Sequence, residues 1–179
     1  VVDRSETKTG SISCTASSVN VVNSIVSRTH GGGRGVQGIY CEATFKHCVI
    51  SENGWGETRN FDSLYGSGRG GGMIFETLSN VLVSGTNFTN NVATAGDGGA
   101  IYCIAAKSLL VQDSTRFQGN TAHRGGAVSV EKTPQTRLAH DTLVKHNVAT
   151  HGGGGGIFWV GRAQDDWGKP EFYSEAAGG

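Results

Sequence analysis

Four stretches of this chain are near copies of one another. They read Gly71-Gly72-Met73-Ile74-Phe75, Gly98-Gly99-Ala100-Ile101-Tyr102, Gly125-Gly126-Ala127-Val128-Ser129 and Gly154-Gly155-Gly156-Ile157-Phe158. A weaker copy, Val36-Gln37-Gly38-Ile39-Tyr40, precedes them. The branched residue recurs at 39, 74, 101, 128 and 157, in steps of 35, 27, 27 and 29 residues. A period of this length marks a repeat architecture, in which each unit is one supersecondary element stacked on the next. Repeats of this kind build extended surfaces more readily than catalytic clefts.

A second motif runs in step with the first. Ile50 stands three residues before Asn53, Phe88 before Asn91, Phe117 before Asn120 and Val144 before Asn147. Between the two motifs the pattern alternates with period two and is rich in β-branched residues, which reads as short strands. No long stretch holds a helical period, and Gly opposes helix. The chain carries 29 Gly but only 2 Pro, a composition suited to many tight turns rather than to collagen or a Pro-rich linker.

The expected fold is all-β: a right-handed parallel β-helix of five to six coils with three short strands per coil. Equivalent strands pair about 4.8 Å apart. Ile39, Ile74, Ile101, Val128 and Ile157 are expected to form one inward column, and Ile50, Phe88, Phe117 and Val144 another. Asn53, Asn91, Asn120 and Asn147 are expected to stack at one corner and hydrogen-bond along the axis. Gly71, Gly72, Gly98, Gly99, Gly125, Gly126, Gly154 and Gly155 form the other corner, where positive φ and close backbone approach favour Gly. The β-helix repeats span 1–160, with a loop inserted at 54–70 that carries Trp55, Phe61 and Tyr65. Residues 161–179 form a cap or continue the solenoid.

The alternation of Gly-Gly-Ala-Ile with Phe-x-x-Asn resembles the repeat signature of the chlamydial polymorphic membrane proteins, autotransporter-type surface adhesins. Gly98-Gly99-Ala100-Ile101, Gly125-Gly126-Ala127-Val128, Phe88-Thr89-Asn90-Asn91 and Phe117-Gln118-Gly119-Asn120 carry it, within roughly residues 36–160. The resemblance implies a β-helix passenger, surface location and adhesive or structural roles, with no catalytic residues. The membrane-anchoring barrel of that family has no counterpart in this sequence. The chain is expected to be a piece of a longer secreted or cell-surface protein. Its expected partners are other protein subunits or surface glycans, with contact end to end in a filament or array as a further option.

Cys14 lies 27 residues before Cys41, one repeat length, so the two are expected to stack in adjacent coils with Cα atoms about 4.8 Å apart and are candidates for a disulfide. Cys103 is expected in the same place two coils beyond Cys41, too far to pair with it. The alternative is a column of buried free thiols. Asn87-Phe88-Thr89 is an N-glycosylation sequon, and Asn87 faces outward if Phe88 faces inward.

Other functions find less support. Fifteen basic and fifteen acidic side chains cancel, which removes the footprint of a nucleic-acid binder. No apolar run is long enough for a membrane-spanning helix. A polysaccharide lyase or hydrolase is the main alternative, since such enzymes also use this fold, but they need converging carboxylates. Asp165 and Asp166, near Arg162 and Trp167, are the one adjacent acidic pair. Asp97, Asp113, Glu131 and Asp141 are expected at different corners. His30, His123 and His151 precede Gly-rich turns at unequal offsets, short of the three or four converging ligands of a zinc site. The Gly runs lack the Lys-Ser/Thr of a phosphate loop. Thr86, Thr115 and Thr142, with Cys48 before them, share the inward parity of Phe88, so they are assigned to the core or a corner rather than to an ice-binding face. No cofactor or metal is expected.

Overall fold

The structure, a computed structural model, describes residues 2–3, 11–29, 34–54, 68–93, 95–139, 141–161 and 171–172. Among them every regular element is a strand. β1 (Val2–Asp3) precedes the first full turn, β2 (Ile12–Thr15), β3 (Ser18–Val22) and β4 (Ile25–Ser27). The second turn is β5 (Val36–Ile39), β6 (Glu42–Lys46) and β7 (Val49–Ser51); the third is β8 (Met73–Glu76), β9 (Asn80–Ser84) and β10 (Asn87–Thr89). The fourth holds β11 (Ile101–Ile104), β12 (Ser108–Gln112), β13 (Arg116–Gln118) and the short β14 (Thr121–Ala122). The fifth holds β15 (Val128–Glu131), β16 (Gln135–Leu138), β17 (Leu143–Lys145) and β18 (Val148–Ala149). β19 (Ile157–Val160) and β20 (Glu171–Phe172) begin a sixth.

Each strand pairs in parallel with its equivalents one turn away. Three six-stranded sheets result, ordered β2-β5-β8-β11-β15-β19, β3-β6-β9-β12-β16-β20 and β1-β4-β7-β10-β13-β17, with β14-β18 as a small fourth. This is the parallel β-solenoid that the period demands. Five complete turns rise roughly 25 Å at the usual strand spacing. β20 pairs with β16, so these two residues extend the second sheet. Most of the loop at 54–70 and of the segment 161–179 lies outside the described residues.

The third sheet has the expected register. Val26, Ile50, Phe88, Phe117 and Val144 are successive partners, and the Phe88 and Phe117 rings stack at 4.8 Å. The first sheet corrects two expectations. Its inward column is Ile12, Val36, Met73, Ile101, Val128 and Ile157. Ile74 instead pairs with Tyr102, on the outer face, and Ile39 pairs with Glu76 three positions further on. The reason is the Gly triplet. Gly70, Gly98 and Gly125 all take positive φ, so the Gly pair of the third turn is Gly70-Gly71 and not Gly71-Gly72. A one-residue slip in a strand sends every side chain to the opposite face.

The interior is tightly matched. The next inward column runs Cys14, Gly38, Phe75, Cys103, Val130, so the large Phe75 faces the Gly38 position, where a Cβ would lie 2.4 Å from its ring. Large beside small keeps the column at interior packing density. At the other three corners the chain turns through a left-handed residue, usually not Gly: Ala16, Tyr40, Leu78, Ala105 and Lys132 at one, Asn23, His47 and Asp113 at the next, Arg28, Glu52, Asn90 and His146 at the third.

Candidate functional site

The Asn corner is a continuous amide ladder. Nδ2 of Asn53 donates to Oδ1 of Asn91 at 3.0 Å, Asn91 to Asn120 at 3.0 Å, and Asn120 to Asn147 at 2.9 Å. The backbone N–H of each residue donates to the same acceptor at 3.0–3.2 Å. The second Nδ2 proton goes back to a carbonyl of the preceding turn, from Asn53 to Val26, Asn91 to Ile50, Asn120 to Phe88 and Asn147 to Phe117. Asn53, Asn91 and Asn120 are fully buried. Thr29, three residues after Val26, opens the ladder: its N–H and Oγ1–H both donate to Asn53 Oδ1. The sequence pattern missed Thr29 because it is not Asn, although its offset from an inward Val was visible. Thr86 and Thr115 are buried in a parallel column, where Cys48 N–H donates to Thr86 Oγ1, as their parity implied.

The Gly corner folds back over the outer face of the first sheet. A Cβ at Gly99 would lie 2.2 Å from Gly126 O, so only Gly fits where these turns nest. This nesting hides residues that point outward. Ile74, Tyr102 and Ser129 are buried although they lie on the outer face. A charged clasp runs across them. Arg69 Nη1–H donates to Tyr102 Oη at 3.1 Å with the guanidinium over the ring, and Arg124 grips Asp97 with two hydrogen bonds of 3.0 and 2.5 Å. Glu131 lies 3.9 Å from Arg124, while the Arg124 guanidinium covers the Phe158 ring. Burial, aided by Glu131, pushes the Tyr102 phenol well above its ordinary range despite Arg69. The phenol therefore stays protonated. Arg34, also buried, has its pKa lowered by desolvation while Glu76 opposes the shift.

A family model described as a right-handed β-helix region matches residues 5–166. The chain belongs to the right-handed β-helix family. No curated protein and no solved structure gives a significant match.

In this β-helix the acidic residues do not scatter over separate corners as expected. Asp97 and Glu131 share Arg124, one turn apart. Asp113 and Asp141 meet at a second corner: Asp113 accepts from Ser84 Oγ, and Asp141 accepts from the Ser114 N–H and hydroxyl. Serine and glutamine hydrogen bonds lower the Asp113 pKa. Asp165, Asp166, Arg162, Trp167 and His30 lie outside the described residues.

Cys14 and Cys41 are joined, with Cα atoms 6.1 Å apart. Their registers differ: Cys14 pairs with Gly38, and Cys41 follows β5 at the corner, so the bridge reaches across the turn. Cys103 shares the column of Cys14 and Gly38 rather than the place of Cys41, and its buried thiol is pushed up to about 12 by desolvation. Cys48 is also free and buried. Asn87 lies on β10 between Val49 and Arg116, half-buried, with Phe88 inward. His123 and His151 keep their unequal offsets, yet their rings meet at 4.2 Å. No group of three metal-ligating side chains occurs among the described residues, nor any helix long and apolar enough to cross a membrane.

Proposed function

We propose that this chain is a structural and adhesive segment of a larger secreted or cell-surface protein: a stiff rod that displays outward residues and loops to proteins or glycans. The observation that carries this reading is the use of the recurrent polar side chains. The Asn ladder, the Thr column and the Arg124 clasp bind turn to turn and leave the repeat few groups for chemistry. The Cys14–Cys41 bridge supports an oxidising compartment. The outward sequon at Asn87 is compatible with secretion, and the Gly-Gly-Ala-Ile and Phe-x-x-Asn copies support kinship with polymorphic membrane protein repeats.

A carbohydrate-active enzyme is the competing reading, and Arg69, Tyr102, Glu131, Arg124 and Asp97 are the constellation it would use. Tyr102 is sealed from solvent, and the Asp97 side chain is 5 % exposed and held by Arg124, so neither is positioned to meet a sugar in this conformation. The test is twofold. The purified chain is incubated with polygalacturonate, alginate and neutral glucans while new reducing ends and absorbance at 235 nm are followed. The same protein, immobilised, is then offered glycans and matrix proteins. No turnover with saturable binding is expected. Release of unsaturated or reducing sugars would overturn the structural reading, and failure to bind any surface would remove its adhesive part.

A further inference from the structure

The two rings that meet at the fourth and fifth turns have a defined chemistry. His123 follows β14, and His151 follows β18 and Thr150; the backbone N–H of His151 donates to His123 O at 3.1 Å. The imidazole centroids are 4.2 Å apart and tilted by 42°. His123 is half-buried and His151 is exposed.

The Thr150 hydroxyl offers a way to free one nitrogen of His151. Thr150 has one hydroxyl proton, and Ala122 O lies within its reach at 3.2 Å. Thr150 Oγ1 also lies 2.9 Å from His151 Nδ1. When the hydroxyl proton goes to Ala122 O, the Thr150 oxygen accepts from His151 Nδ1–H and the neutral ring carries its lone pair on Nε2. A hydrogen bond at one ring nitrogen that frees the other as a ligand is the usual outer-shell arrangement of a metal-binding histidine. Arg124, next to His123 in the chain, is held by Asp97 and Glu131, which offset its repulsion of a metal ion.

We propose that His123 and His151 form a two-histidine site for a late first-row divalent cation, Cu²⁺, Ni²⁺ or Zn²⁺, with the remaining positions filled by water. Imidazole suits these ions, and the affinity order follows with Cu²⁺ tightest. The rings need only swing apart about Cβ until both nitrogens reach the ion at about 2.0–2.1 Å. Because the ion binds neutral imidazole, affinity falls as pH falls.

The test uses the whole chain, stripped with chelator and titrated calorimetrically with CuSO₄, NiCl₂ and ZnCl₂. The expected result is one ion per chain at this site, weakened about tenfold or more by His123→Gln or His151→Gln. Thr150→Val, which removes the acceptor, is expected to weaken binding while leaving the far-ultraviolet circular dichroism unchanged. Pulsed electron paramagnetic resonance of the Cu²⁺ form should count two imidazoles. In the wild-type protein without metal, ¹⁵N NMR should show His151 as the Nδ1–H tautomer, with the Nε2 signals of both rings moving when Zn²⁺ is added. The proposal is overturned if the variant carrying both His123→Gln and His151→Gln binds as wild type does, if only one imidazole is counted, or if His151 carries its proton on Nε2.

Discussion

Replacing Asn91 by Ala should be among the most damaging single changes in this rod. Asn91 fills all four of its side-chain hydrogen-bonding positions. Oδ1 accepts from the N–H and Nδ2 of Asn53, and Nδ2 donates to Ile50 O and Asn120 Oδ1. The Ala variant strands two donors of Asn53 in a fully buried corner. Each unsatisfied buried group costs about 1–3 kcal/mol, so the loss for the two should be about 2–6 kcal/mol. That is a large share of the roughly 5–15 kcal/mol that holds a typical domain together. Asn147→Ala removes the equivalent acceptor from Asn120, but at a half-exposed position where water can substitute. Its expected cost is about 1 kcal/mol. Asn91→Asp adds a pH signature. A carboxylate there would face Ile50 O and Asn120 Oδ1, so its folded pKa must rise above the unfolded value of about 3.9. A raised carboxyl pKa leaves the variant most stable below about pH 4 and weakens it as pH climbs through the folded value. Urea unfolding followed by circular dichroism at pH 4 and pH 7 measures all three. Equal midpoints for Asn91→Ala and Asn147→Ala, or an Asp variant more stable at pH 7 than at pH 4, would refute the ladder as a buried, fully satisfied chain.

Reducing the Cys14–Cys41 bridge, which closes a separation of 27 residues, should cost about 3–4 kcal/mol on chain-entropy grounds. Hydrogen exchange should localise the loosening to the first two turns, and Cys48 and Cys103 should resist thiol reagents in the native oxidised protein. Leu78 sits at φ 55° with its side chain exposed, so Leu78→Asn should raise the thermal midpoint, by up to about 1 kcal/mol of relieved left-handed strain. An unchanged midpoint would mean that the corner tolerates Leu freely. Arg124→Met leaves the buried Asp97 carboxylate unpartnered and should destabilise by about 2–4 kcal/mol, with Asp97→Asn restoring part of the loss in the double variant. Simple additivity of the two would argue against the clasp.

The parts of the fold that were legible in the sequence are those where the chemistry permits one residue type. Asn at its corner must both donate and accept along the axis, so the spacing from Ile50, Phe88, Phe117 and Val144 located the Asn ladder and four strands of the third sheet, but not β1, β4 or Thr29. Gly is less informative when several stand in a row. Gly70, Gly71 and Gly72 offer two ways to place a pair, and the choice decided whether Met73 or Ile74 faced inward. The disulfide partners were found from repeat spacing even though Cys14 stands opposite Gly38, because a corner cysteine can reach across a turn. The clasp of Arg69, Tyr102, Glu131, Arg124 and Asp97 was not legible. It depends on the Gly corner lying over the outer face of the sheet, and period-two alternation marks outward residues as exposed. The ring contact of His123 with His151 was hidden for a similar reason, since unequal offsets said nothing of how the Gly-rich turn redirects the second ring.

The amide ladder also has a direction. From Thr29 to Asn120 every backbone N–H and one side-chain proton of each residue point to the amide oxygen of the later turn, while the other Nδ2 proton of each Asn returns to a backbone carbonyl of the earlier one. The rod is therefore a one-way splice. A turn duplicated or removed whole meets matching acceptors on one side and donors on the other, whereas a turn added in reverse presents oxygen to oxygen. Lengthening by whole turns leaves the joint intact, and growth in any other phase breaks it.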